Sequence, residues 1–396
     1  MGIKGLNKLI YQYANSSMED INISDLCGAK IAIDSEILMH KFKSVDSNNS
    51  HITGFVNNVF SFLRNGIIPI YIFDGVPNIS KQTNAIFKRH THKKHMNEEA
   101  EELEKKVLDQ IEKLCLDNNS EESIQILGNN INYNIDKLLN IQKKINFMSV
   151  SKNYRKECKY LLKVMGIPFI TAIEDAEALC VNLCVKKLVD YVMTEDTDAM
   201  AYLVAHYSNT EDIDAKILKI NKFNQNALTC VNVKSIVKQL KIDPKSFVDM
   251  CILSGCDFCP SISKIGSIRA YHFMLEHKSI ENLIDSKEFK EHGYTVPCGF
   301  NYNDAREIFY KDHYKEYKSL NIEPMLIEDL ERYLIDERGL NPKPIIEEYN
   351  KMFEIFTGKN DTIKTGQYVS SVQPFTAYVQ PVLNNVPQSG HKINVS

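Results

Sequence analysis

Four short apolar runs, each closing on or leading into acidic residues, set the rhythm of the chain. Lys30-Ile31-Ala32-Ile33 ends at Asp34, and Ile67 to Phe73 ends at Asp74. Gly166-Ile167-Pro168-Phe169-Ile170 leads into Glu174-Asp175-Ala176-Glu177, and Val189 to Met193 leads into Thr194-Glu195-Asp196-Thr197-Asp198. Short apolar runs with helix-like stretches between them predict an α/β fold whose central, mostly parallel sheet is flanked by helices. In open α/β sheets ligands bind beyond the carboxyl ends of the strands, where these acids fall. Carboxylates far apart in sequence are therefore expected to converge.

Between the second and third runs the pattern changes. Residues 88–95 (Lys-Arg-His-Thr-His-Lys-Lys-His) form a basic knot. Asn97 to Leu116 is acidic and carries Leu103, Val107, Ile111 and Leu114 at helical spacing, which predicts an amphipathic helix. An Asn/Ser-rich stretch at 117–134 reads as a loop. From Ile135 to Met165 a helical pattern resumes with Lys143, Lys144, Lys152, Arg155, Lys156 and Lys159 on it. Asp243 to Lys278 predicts two helices around a tight turn at Cys256 to Gly266, followed by helical sequence to about residue 350. The last stretch, with Pro374, Pro381, Pro387 and few charges, reads as a disordered tail. The expected organisation is thus a core in two pieces (1–89 and 151–290), a helical insertion (90–150), a helical C-terminal region (291–350) and a tail (351–396).

Composition narrows the class. A 396-residue chain with 43% hydrophobic and 25% charged residues matches soluble globular proteins, and no apolar run reaches the length of a membrane span. The N-terminal Met1-Gly2-Ile3-Lys4-Gly5-Leu6 has no export or myristoylation pattern, so an intracellular location and reduced thiols for the ten cysteines are expected. The net charge of −4 argues against a general nucleic-acid coat protein. It is compatible with a nuclease, because metal-binding carboxylates offset basic patches in the sum.

Each motif has an ordinary reading beside a chemical one. An aspartate after a strand often only caps the next helix. Asp196 and Asp198, two apart, face one side of an extended segment and repel unless cations intervene. Glycosyltransferases and phosphatases carry such a pair as well. Cys256-Asp257-Phe258-Cys259 spells a CxxC, but no second pair stands at finger spacing, so buried thiols are favoured over zinc. His90, His92 and His95 extend a cationic surface more readily than they bind metal.

Taken together, the N-terminal Met-Gly-Ile-Lys-Gly-Leu, Ile33-Asp34, Tyr71-Ile72-Phe73-Asp74-Gly75-Val76-Pro77, Met165-Gly166-Ile167-Pro168, Asp175-Ala176-Glu177-Ala178, Thr194-Glu195-Asp196-Thr197-Asp198 and Leu253-Ser254-Gly255-Cys256-Asp257-Phe258-Cys259 resemble the flap endonuclease and XPG family, in family order. Phe247 to Leu253 and His277-Lys278-Ser279-Ile280 resemble its flap endonuclease branch. The resemblance implies a PIN-like 5′ nuclease core with a helical arch and a helix-two-turn-helix element near residues 250–275. It also implies a site for two magnesium ions, with manganese as a substitute, on Asp34, Asp74, Asp175, Glu177, Asp196, Asp198 and Asp257. At Asp175 the family has glutamate.

By the same resemblance Lys81, Lys88 and Arg89 act on the scissile phosphate, and Gly2, His40, Lys264, Gly266 and Arg269 contact DNA. His40 replaces a tyrosine that stacks on a base. Lys264 replaces the first of two glycines at the family's potassium site, which leaves two alternatives there, a potassium ion or a direct phosphate contact from Lys264. The tail lacks a sliding-clamp motif, and the Lys, Asn and Ile bias suits a large DNA virus. The implied protein is a monomeric, nuclear 5′ flap endonuclease with 5′–3′ exonuclease activity on branched DNA, serving replication, repair or recombination. The alternatives are a relative acting on bubbles or four-way junctions, a catalytically silent DNA-binding scaffold, and a phosphatase or nucleotidyl enzyme using the Asp pair alone.

Overall fold

The computed structural model describes residues 2–43, 49–76, 87–116, 129–141, 152–207, 216–221, 224, 227–317 and 320–356. Its centre is a seven-stranded sheet of β1 (Met18–Asn22), β2 (Lys30–Asp34), β3 (Ile68–Phe73), β4 (Phe169–Thr171), β5 (Tyr191–Met193), β6 (Lys216–Ile220) and β7 (Ala227–Asn232), in the order β1-β7-β6-β5-β2-β3-β4. Strands β6, β5, β2, β3 and β4 are mutually parallel, and β7 pairs antiparallel with both β6 and β1. The apolar runs thus mark four of the five parallel strands, β2 to β5. The β1-β7-β6 edge was not anticipated, because Met18–Asn22 alternates with polar residues and leaves little apolar signal.

Alternation along the central strands explains why the sheet is covered on both faces. Ala32, Ile70, Ile72 and Val192 point into one hydrophobic cluster, with helices Leu6–Tyr13, Ala176–Val185, Asp198–Tyr207, Pro244–Ser254 and Ser267–His277. Ile31, Ile33, Tyr71, Phe73 and Met193 point into the other, with helices Ser50–Leu63, Lys152–Val164 and Lys343–Phe356. A strand whose two faces are both buried reads as an unbroken apolar run.

The excursion is a helical hairpin. Helix Phe87–Leu116 packs against helix 129–141 through Met96, Leu103 and Ile141, with Glu99 paired to Lys137 at 2.9 Å and Gln110 to Asn134 at 3.1 Å. The basic knot is the opening of this helix rather than a separate element, so the boundary drawn at residue 89 falls inside it. The expected loop is also shortened, since residues 129–134 are helical, and residues 117–128 are outside the described set. Helix Lys343–Phe356 carries order past residue 350, where the tail was expected to begin. The rest of the tail, 357–396, is outside the described residues.

Helices Pro244–Ser254 and Ser267–His277 flank the predicted turn. The first starts where Asp243 accepts a hydrogen bond from Ser246 N and Pro244 occupies its first position. Arg306, on helix Tyr302–Tyr310, ties the first of these helices to helix Ile280–Asp285. Its Nε donates to Asp249 Oδ1 at 2.6 Å and its guanidinium also grips Glu281, with Nη1 2.6 Å from Oε1. Burial raises the Asp249 pKa even against this cation, while the more exposed Glu281 is held down to about 2 by Arg306. The pair is therefore a constraint on position more than a source of stability.

Removing the guanidinium would leave Asp249 buried and uncompensated. Arg306→Met is expected to lower the unfolding free energy by about 3 kcal/mol in urea melts. The same change in an Asp249→Asn background should cost far less, and equal costs in the two backgrounds would contradict the assignment.

Candidate active site

Strand order decides what meets at the carboxyl edge. The chain runs β2, β3, β4 outward on one side and returns to add β5 on the other side of β2, so the crossovers diverge at the β2–β5 junction. Such a switch point opens a crevice. Asp34 ends β2, Asp74 follows β3, the 174–177 turn follows β4, and Thr194 to Asp198 follow β5. Four adjacent strands thereby line up six of the seven acids expected at a metal site. The seventh, Asp257, follows helix Pro244–Ser254 and lines a cleft of about 440 Å³ with Gly2, Ile3, Lys4, Gly5, Asn7 and Thr197.

The cluster is crowded and largely dry. Asp34, Asp175, Glu177, Asp196 and Asp198 are buried, and carboxylate oxygens of Asp74, Asp175 and Glu177 lie within 4.8 Å of one another. The Asp34 carboxyl is held well above the usual carboxylate range, first by burial and then by Glu177, Asp74 and Asp196. Asp198 is raised in the same way by burial and by Asp196, and its Oδ1 is buried without a hydrogen-bond partner. An all-oxygen donor set of this kind, with an orphaned oxygen and mutually repelling neighbours, fits hard divalent cations.

The capping reading and the site reading hold together. Asp34 Oδ1 accepts from Glu36 N at 3.0 Å, which starts helix Ser35–Lys43, while Oδ2 accepts from the Thr194 hydroxyl at 2.9 Å. Asp74 Oδ1 accepts from Ala176 N at 2.9 Å, and Asp196 Oδ1 accepts from Asp198 N at 3.1 Å. Each of these bonds fixes one carboxylate oxygen, and the Thr194 hydroxyl fixes the second oxygen of Asp34 as well. Thr194, which also accepts from Asp196 N at 3.0 Å, was not singled out in the sequence; its place two residues before Asp196 is the signal.

The N-terminal segment closes one side. Gly2 has φ +80°, and a Cβ there would lie 2.0 Å from Asp196 Oδ1. Lys4 N donates to Gly255 O at 3.0 Å, and the Thr197 hydroxyl donates to Ile3 O. The glycine is required both for its backbone angle and for this approach. On the opposite side the Arg155 guanidinium grips buried Glu36 in a two-pronged pair at 2.7 and 2.5 Å, so this member of the basic helix serves the scaffold.

The remaining expected residues are dispersed. Lys81 is outside the described residues, and Lys88 and Arg89 open helix Phe87–Leu116 with side chains likewise outside them. His40 is half-buried on helix Ser35–Lys43, one turn after Glu36. Lys264 is exposed with φ +65°, Gly266 has open space where a Cβ would stand, and Arg269 turns its guanidinium onto the Lys264 carbonyl. Cys256 and Cys259 are buried free thiols in mutual contact, which with burial pushes the Cys256 thiol up. Among the described residues no third ligand joins them.

Residues 1–96 match the family model for the XPG N-terminal domain and residues 166–257 that for the XPG I-region. Flap endonuclease 1 of Plasmodium yoelii yoelii is 30% identical over 362 residues, covering 86% of this chain and 69% of the relative. That of Cryptosporidium muris (strain RN66) is 30% identical over 326 residues, covering 78% of this chain and 62% of the relative, so the chain spans less than two thirds of that protein's length. Among solved structures, the catalytic core of Rad2 in complex with DNA substrate superimposes with a TM-score of 0.63 at 18% identity, covering 89% of this chain and 100% of that one. The last comparison shows a shared fold.

Repulsion within the cluster has a measurable sign. Asp34 is raised above 3.8, so the folded chain holds this proton longer than the unfolded one, and Asp34's contribution to stability falls as pH rises beyond that value. In EDTA at neutral pH, Asp34→Asn should therefore raise the melting temperature by about 2 °C per kcal/mol of relieved repulsion. Added magnesium should stabilise the parent chain and the variant much less. A variant that melts lower in EDTA would show that the Asp34 hydrogen bonds outweigh the repulsion.

Proposed function

The chain belongs to the flap endonuclease and XPG family, and we propose that it is a magnesium-dependent, structure-specific 5′ nuclease that cleaves branched DNA, chiefly 5′ flaps, with 5′–3′ exonuclease activity. The observation that carries this reading is the convergence of acids from four neighbouring strand ends into one buried, self-repelling cluster. Asp34, Asp74, Asp175, Glu177, Asp196, Asp198 and Asp257 hold two magnesium ions, with manganese as a substitute. When bound, such a pair supplies an activated water and neutralises the departing oxygen of a phosphodiester.

The chain's own residues do the rest. Asp34, Asp74 and Asp196 are fixed by backbone and hydroxyl donors, so their carboxylates are oriented before substrate arrives. Lys81, Lys88 and Arg89 offset charge developing on the scissile phosphate. Gly2 lets the N-terminal backbone approach the nucleic acid beside Asp196, and His40 stacks on a base near the cut. Lys264, Gly266 and Arg269 hold the duplex backbone. With Lys264 in a left-handed conformation and its carbonyl engaged by Arg269, a direct phosphate contact from its exposed ammonium is preferred to a potassium ion at that turn. The helical hairpin, basic at its start, accommodates the single strand. The working form is a monomer in the nucleus that serves replication, repair or recombination.

Asp196→Asn is expected to abolish cleavage of a labelled 5′ flap in magnesium while binding to the same DNA stays within about threefold, because grip comes from cations and backbone amides elsewhere. Near wild-type cutting would defeat the proposal. Flap, nicked duplex, bubble and four-way junction assayed side by side separate a flap enzyme from a junction or bubble enzyme, and binding without cleavage of any of them would mark a silent scaffold.

A further inference from the structure

The turn from β4 into helix Ala176–Val185 presents three acids within four residues, Glu174, Asp175 and Glu177. Its backbone is pinned. Glu174 O accepts from Gly75 N at 2.7 Å, and a Cβ on Gly75 would lie 2.1 Å from Ala172 O. The turn therefore cannot shift its acids as a unit, and the direction of each side chain is settled by what it meets.

Asp175 and Glu177 face Asp74, whereas Glu174 faces away toward residues 311–314. Lys311 Nζ lies 2.7 Å from Glu174 Oε1, and His313 Nδ1 lies 3.6 Å from Oε2. That segment is itself strapped to the two helices that carry Glu177 and Asp198. His313 N donates to Asn182 Oδ1 at 2.6 Å, the His206 ring meets Lys311 O at 3.2 Å, and Lys186 pairs with Asp312 at 2.8 Å. Glu174 is nonetheless close to the cluster. The buried Tyr202 hydroxyl is raised by burial and by Asp175, Glu177 and Asp198, with Glu174 contributing after them.

We infer that Lys311 and His313 are positioning residues that hold Glu174 out of the acid cluster, so that divalent cations meet Asp175 and Glu177 without an additional, mobile carboxylate from the same turn. The inference rests on the metal-dependent reading above. A released Glu174 has one more rotatable bond than an aspartate and starts one residue from Asp175. Magnesium keeps a fixed octahedral shell, so an added carboxylate displaces a bound water. The cations would then be held at least as tightly, and the reaction would lose a water it needs.

The test uses the full chain, with manganese as the probe. Binding is followed by the paramagnetic resonance of free Mn²⁺ and cutting by single-turnover cleavage of a 5′ flap at saturating metal. For Lys311→Met, Mn²⁺ binding should be unchanged or tighter while the saturating rate falls about tenfold, and Glu174→Gln in that background should restore most of the rate. Lys311→Arg should behave as the parent. An unchanged rate, weakened Mn²⁺ binding, or a defect that Glu174→Gln leaves in place would each overturn the inference, because a merely structural loss would weaken Mn²⁺ binding together with the rate. Asp196→Asn is measured alongside. If it cuts normally, the metal-dependent reading fails; if it is inactive while Lys311→Met is normal, only the role of Lys311 and His313 fails.

Discussion

Mutual repulsion among buried carboxylates is the constraint around which this molecule is arranged. Asp34 and Asp198 sit in surroundings that penalise their charge twice, through burial and through neighbouring acids. A cluster of this kind persists only if the scaffold gives it no room to relax. The sheet supplies that rigidity, since its central strands are packed on both faces and its neighbouring carboxyl ends are a strand spacing apart. The helix starts supply the rest, because three of the acids are tied to backbone N–H groups that the helices must satisfy in any case. Fold stability and chemical readiness thus draw on the same hydrogen bonds.

The legible part of the sequence was the part in which local pattern and tertiary role coincide. Ile31, Ile33, Tyr71 and Phe73 read as strand because both faces are buried, and Asp34 and Asp74 read as site residues because they end those strands. The β1-β7-β6 edge was illegible for the opposite reason: β1 is largely exposed, and polar residues interrupt the apolar positions of β6 and of the mostly buried β7. The start of helix Phe87–Leu116 was hidden by its own charge, since a basic knot gives no apolar period even where it is helical. Partnerships such as Glu36 with Arg155 and Glu174 with Lys311 span more than a hundred residues and leave no local mark.

Two of the positions at which the resemblance is imperfect, Lys264 and Asp175, are met by an adjustment in their surroundings. Lys264 takes a left-handed conformation that glycine adopts freely and lysine at a cost of about 1 kcal/mol. Its exposed side chain is free to point outward, and the Arg269 guanidinium covers the carbonyl that the turn leaves open. Asp175 is shorter than the glutamate it replaces, yet its oxygens reach those of Asp74 and Glu177 because Gly75 lets the turn approach so closely. In both places a neighbouring residue compensates for the altered one.

The contact of the N-terminal segment with Asp196 and Gly255 bears on how the molecule comes into being. Gly2 and Lys4 leave the ribosome well before their partners, which lie about two hundred and two hundred and fifty residues later in the chain. At ordinary elongation speeds of about 5–20 residues per second, the opening residues wait roughly ten to fifty seconds for them. Ile3, Leu6, Leu9 and Ile10 are apolar, and their cluster stays incomplete through that interval because it also takes in Phe247 to Leu253. The acid cluster is completed only once Asp257 has emerged, so a nascent chain that stops at Asp198 carries six of the seven carboxylates without the finished pocket.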